Sequence, residues 1–130
     1  MIRTLLCLAL TMTACQADET ITGYTNTNTD TVWMLTYLNG TRPESDITIT
    51  FPEKGKIAGK APCNRYFGSQ TKPLPWFETG PIASTKMACP HLAEETKYFT
   101  TLQSARLAEV SETTLILSDD TGPILTFKRQ

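Results

Sequence analysis

The stretch TTLILSDDTGPILTFKR, residues 113–129, decides the fold. Leu115 and Leu117 alternate with polar or outward neighbours, and so do Leu125 and Phe127. Between the two runs stands Asp119-Asp120-Thr121-Gly122. Asp bonds its own backbone in tight turns, and Gly takes backbone angles closed to other residues. Two period-2 runs around such a turn predict an antiparallel hairpin, with strands at 114–117 and 124–128. Leu115, Leu117, Leu125 and Phe127 then face the core.

Working outward, 106–111 reads as a further strand. One helix is expected over 91–105. Pro90 suits a helix start, and Glu94 and Glu95 lie early, where the helix dipole favours acids. Leu92, Phe99 and Leu102 share a stripe that Glu95 interrupts. Nearer the N-terminus, 32–38 is rich in β-branched and aromatic residues and sets Trp33, Leu35 and Tyr37 on one face; Asn39-Gly40 follows as a turn. Residues 46–51 alternate with Ile47, Ile49 and Phe51 on one side. Glu53-Lys54-Gly55 turns the chain into a strand at 56–60. A loop covers 63–77, with a short or edge strand at 74–78, because Pro73 and Pro75 cannot donate to a ladder. Residues 81–86 are a weaker strand. The fold class expected is α+β: a strongly curled antiparallel β-sheet or partly closed β-barrel packed with one α-helix.

The chain has 130 residues, enough for one domain. Its 12 basic and 13 acidic side chains give a net charge of −1, without the basic excess of a nucleic-acid binder. Apolar residues at 40% and charged residues at 19% describe a globular chain, not a disordered one.

The N-terminus reads MIRTLLCLALTMTACQAD. Arg3 precedes about ten apolar residues, half of the ~20 that a membrane-spanning helix needs and the right length for a secretory signal. Met12-Thr13-Ala14-Cys15 resembles a bacterial lipobox. The resemblance implies a signal peptide over 1–14, diacylglyceryl transfer to the Cys15 thiol and acylation of the new terminus. An ordinary signal peptide with a chance Cys is the alternative. Gln16 in place of Asp points to the periplasmic face of the outer membrane. Residues 15–30, acylated Cys15 and a polar T-N-T-N-T run, read as a flexible tether, and 31–130 as the folded domain. The expected partner is thus the membrane, through the lipid, with the chain a monomer.

Cys7 leaves with the signal and Cys15 is acylated. Cys63 and Cys89 remain, in an oxidising compartment, and a disulfide is the plain reading. It would close a loop of about 26 residues and contribute roughly 3.5 kcal/mol by the chain-entropy model. A zinc site on Cys63, Cys89 and His91 lacks a fourth ligand and a known spacing.

Trp33, Leu35, Asn39-Gly40, Gly59, Cys63-Asn64-Arg65-Tyr66, Gly68, Thr85-Lys86-Met87-Ala88-Cys89 and the closing Leu125-Thr126-Phe127 together resemble the META domain, the family (also DUF306) that includes the heat-shock protein HslJ. The likeness spans about residues 31–128. Pro62 and Gln70 depart from it, standing where the family usually has Gly and an aromatic. The resemblance implies a compact β-rich fold with a helix and a link to heat shock, envelope stress and antibiotic tolerance, with no shared enzymatic activity. Asn64, Arg65, Tyr66, Gly68, Thr85 and Met87 are the motif positions. Asn64 beside a cross-linked Cys can bond nearby backbone and hold a turn. Gly68 would allow a conformation that side chains block. Tyr66 and Phe67 would fill core on either side of a strand, Met87 would lie in the core, and Arg65 would be exposed.

Catalytic chemistry is not visible. His91 is the single histidine and has no nucleophile motif; a solvated helix start is its plain reading. Glu94 and Glu95 face different directions on a helix, and Asp119-Asp120 read as a turn. There is no phosphate-binding loop, cofactor motif or metal set. The expected function is a non-enzymatic, outer-membrane-anchored lipoprotein supporting envelope stress tolerance. The alternative is a binding module: an inhibitor of lysozyme or a protease, or a carrier of a small apolar ligand. For such contact with an envelope protein or hydrolase the candidates are Arg65, Lys72 and Trp76, two of them on a 69–76 loop. Trp76 would otherwise pack into the core.

Overall fold

The computed structural model describes residues 20–22 and 31–130. In chain order the elements are β1 (Trp33–Leu38), β2 (Thr48–Ile49), β3 (Lys56–Lys60), β4 (Arg65–Ser69), β5 (Ala83–Ser84), α1 (Leu92–Ser104), β6 (Leu107–Val110), β7 (Thr114–Asp119) and β8 (Gly122–Arg129). The fold is α+β. The strands form two antiparallel sheets, β2-β1-β8-β7-β6 and β3-β4-β5, rather than one curled or partly closed sheet. The two meet where Thr50 and Ala58 exchange backbone bonds of 2.7 and 3.0 Å.

The β7–β8 hairpin follows the alternation. Leu115 lies opposite Phe127 and Leu117 opposite Leu125, and all four are buried. At the turn the Asp119 carboxylate accepts the Thr121 hydroxyl at 2.6 Å and the Thr121 N–H at 2.8 Å. These bonds hold its carboxyl below the usual range. In β1, Trp33 and Leu35 are buried, but Tyr37 is 43% exposed. The register against β8 shifts between Leu35 and Tyr37, and this bulge turns Leu38 inward instead.

Ile47, Ile49 and Phe51 are buried on one face, although only Thr48–Ile49 pairs as a strand. Four expectations are corrected. Arg65–Ser69, inside the expected 63–77 loop, forms β4, paired on both sides. Residues 74–78 make no strand: only Trp76 pairs, with Leu107, because the two prolines leave no continuous ladder. The buried face of α1 is Glu95, Tyr98, Thr101 and Leu102, while Leu92 is 45% exposed, so the acid belongs to the inward stripe. Residues 20–22, assigned to the tether, lie against the domain. Ile21 is fully buried in the core and the Thr22 hydroxyl donates to the Glu53 carbonyl at 3.4 Å. An isoleucine among polar residues gains by burial wherever its chain can reach. The proposed signal, Cys15 and the rest of the tether lie outside the described residues.

Candidate functional site

The motif residues converge on one buried acid. Cys63 and Cys89 are joined, with Cα atoms 5.6 Å apart, and the bridge ties the start of β4 to the segment entering α1. One turn into that helix, Glu95 is 4% exposed. Its Oε1 accepts the backbone N–H groups of Cys63 at 3.1 Å and Asn64 at 2.8 Å; its Oε2 accepts the Asn64 side-chain amide at 2.7 Å. The same amide donates to the Met87 carbonyl at 3.0 Å. Asn64 Oδ1 accepts the Thr85 hydroxyl at 2.8 Å and the Met87 N–H at 2.7 Å. Asn64 thus uses both amide hydrogens and both lone pairs of its oxygen, which is its full capacity.

Sequence reasoning placed Asn64 correctly as a backbone-bonding residue but set its partners nearby; they lie 21 to 31 residues away. It missed Glu95. The signal was present, an acid where the helical stripe calls for an apolar residue. Met87 is corrected too. Its side chain is 63% exposed, and the position serves the network through its backbone N–H and C=O. Gly68 lies in β4 without a positive φ; the glycine of the resemblance held tight against backbone is Gly59. A Cβ there would run into the Thr48 carbonyl and come within 2.8 Å of the Tyr66 hydroxyl.

Tyr66 fills the space beneath this network. Its hydroxyl donates to the Thr48 carbonyl at 2.7 Å, so the Tyr98 hydroxyl, 2.6 Å away, is the donor to Tyr66. Burial pushes both phenols well above their ordinary pKa. The Tyr66 ring packs edge-on against Tyr98 and Phe99, with centroids 5.6 and 5.4 Å apart.

Phe67, expected in core, is 55% exposed, because nothing among the described residues covers the outer face of β3-β4-β5. Arg65 is exposed on the same face, directly opposite Lys60. Lys72 and Trp76 sit elsewhere. Arg65 begins β4 and the 70–79 loop follows its end, about 13 Å along the strand. The three candidates for partner contact are therefore not one patch. The loop is held from inside by Gln70, which is 1% exposed. Gln70 Oε1 accepts the N–H groups of Lys72 and Glu78 at 3.0 and 3.2 Å, and its amide donates to the Lys72 carbonyl at 3.0 Å. Lys72 also pairs with Glu78 at 3.6 Å. Trp76 is 58% exposed rather than packed in core. Its neighbours are fixed: the Ala108 N–H donates to the Pro75 carbonyl and the Phe77 N–H to the Arg106 carbonyl, at 2.9 and 2.8 Å.

Among the described residues no three of His, Cys, Asp and Glu come together as a ligand set. The zinc reading also loses both thiolates to the disulfide. His91 is exposed at the helix start, 3.6 Å from the Glu44 carboxylate.

A buried acid locking a disulfide loop to a helix, together with two antiparallel sheets, defines a cross-linked α+β domain. The META domain family model matches residues 26–130, and the chain belongs to that family. No curated protein matches the chain. Among solved structures it is similar to an NMR structure of a protein from Burkholderia xenovorans, with 28% identity, a TM-score of 0.63, and coverage of 78% of this chain and 82% of that one. A second NMR structure is 25% identical with a TM-score of 0.58, covering 75% and 86%. A crystal structure of a DUF4847 family protein from Bacteroides vulgatus shares the fold alone: 13% identity, a TM-score of 0.52, with 64% and 57% covered.

Proposed function

We propose that the chain is a non-enzymatic lipoprotein, acylated at Cys15 and held at the periplasmic face of the outer membrane, that supports envelope tolerance to heat or antibiotics through its surface. One observation carries the surface-acting part. The polar groups of the motif, Asn64, Thr85 and the Met87 backbone, are bonded to one another and to Glu95, which leaves the motif a structural lock. The lipobox and export reading of residues 1–16 supply the location.

The test is deletion of the protein and complementation with wild type and with Cys15→Ala, scored by survival under heat and antibiotic and by incorporation of labelled fatty acid. Loss of label and of rescue in Cys15→Ala is expected. Label persisting on that variant overturns acylation at Cys15. Turnover of a substrate by the purified protein, abolished by His91→Ala, overturns the non-enzymatic reading. A second reading, a hydrolase inhibitor working through the 69–76 loop, is favoured by the exposed Trp76 on a loop pinned at its base by Gln70. An ordered loop loses less entropy on contact. Inhibition of lysozyme or a protease, lost in Trp76→Ala, would establish it.

A further inference from the structure

From the outer face of the three-stranded sheet we infer a binding site for an acidic saccharide: a sugar ring carrying a carboxylate or phosphate. The inference deepens the surface-acting reading above but does not depend on acylation of Cys15.

Lys60 and Arg65 are directly opposed across β3 and β4, and both are exposed. Residues so placed have Cβ atoms about 5 Å apart, and like charges there destabilise a sheet. Among the described residues neither cation has an ion-pair partner. The pair therefore costs the sheet something and, among the described residues, meets no acid that offsets it. An anion bridging both would remove the repulsion and gain two charge-assisted bonds.

Phe67 stands two residues along β4 from Arg65, on the same face, about 7 Å away. Its neighbours across the strands are Ala58 and Ala83, which leave its ring standing clear. Beside it runs a groove of about 370 Å³ lined by Thr48, Thr50, Ala58, Lys60, Arg65 and Phe67 among others, none of them acidic. A cation pair on the same face as an exposed aromatic two residues along the strand suits a ligand with an anionic group at one end and an apolar ring face at the other. An extended peptide is disfavoured, since it would seek a free strand edge. Here β4 is paired on both sides, β3 is paired with β4 and with Thr50, and the open edge among the described residues is the two-residue β5, too short to template a peptide strand.

The experiment titrates trigalacturonic acid into the purified full chain, with neutral galactotriose and hexaglutamate as comparisons. It uses wild type and Cys15→Ala protein, so a failure of acylation leaves the result readable. The acidic trimer should bind with a Kd of about 1 mM or tighter, weaken with added salt and exceed both comparisons. Lys60→Glu should lose about tenfold in affinity while its melting temperature rises by about 2 °C, because a repulsive pair becomes attractive; a merely misfolded variant would melt lower. Phe67→Ser should lose affinity several-fold with little change in melting. No binding at about 10 mM, equal binding of galactotriose, or hexaglutamate binding as tightly as the trimer would each overturn the assignment.

Discussion

The two sheets are built on different principles. The five-stranded sheet stands on apolar alternation: Trp33, Leu35, Leu115, Leu117, Leu125 and Phe127 are all buried on one side of it. The three-stranded sheet offers only Ile57 and Tyr66 as large buried side chains, and nothing among the described residues covers its other face. What it lacks in burial it gains from a disulfide and from a buried carboxylate holding Asn64 and the 85–87 segment. The family motif falls almost wholly in this second region. A sheet held by covalent and polar links keeps its shape with one face bare, and that bare face is then free for contact.

The largest effect should come from the apolar sheet. Phe127→Ala removes a fully buried ring and should destabilise the whole domain by about 4 kcal/mol, read by denaturant unfolding. Glu95→Ala should cost about 3 kcal/mol, because Asn64 is left with buried donors, and Cys63 with a half-buried one, that lose their acceptor. The two should differ in kind. In Glu95→Ala, amide exchange should quicken in β4 and β5 while β7 and β8 stay protected. Uniform quickening in both variants would show that the sheets unfold as one unit and would break the contrast. Tyr66→Phe, which strands the Thr48 carbonyl and the Tyr98 hydroxyl, should cost about 1.5 kcal/mol.

The contrast also decides what could be read from sequence. Period-2 alternation is written in neighbouring residues, so β7, β8 and the inward faces of 33–35 and 47–51 were legible. The helix was legible in extent, but its inward stripe was misread at Glu95, since the partner that justifies a buried acid lies 31 residues away. Strand β4 was legible only as a local alternation of Tyr66 and Phe67, and its facing was misread for a related reason. Arg65, Phe67 and Ser69 face solvent, and Gly68 looks like a break, so RYFGS shows no apolar face. The Trp76 segment looked more like a strand than β4 did, yet its prolines confine it to single bonds. Cys63–Cys89 was legible from the cysteine count and the export expected of the N-terminus; the network beside it was not, because half of it is backbone.

Glu94 sharpens the contrast at its smallest scale. It neighbours Glu95 on the helix and makes the same kind of bonds: Oε2 accepts the Glu44 N–H at 2.9 Å and Oε1 the Ser45 N–H at 3.0 Å. The difference is solvent. Partial burial pushes its carboxyl pKa up, but the Glu44 and Ser45 bonds and nearby His91 outweigh that and leave it below the ordinary value. A carboxyl depressed on folding contributes stability above its unfolded pKa of about 4.3, and the contribution is lost as pH falls through the folded value. Glu94→Gln keeps one acceptor oxygen in a wet site and should cost only about 0.5 kcal/mol at pH 7. The gap between wild type and variant should close as the pH is taken from 7 to about 3, since wild type then loses the charge the variant never had. Urea midpoints across that range measure it. A gap that stays constant would mean that the 44–45 loop is held to the helix by shape rather than by charge.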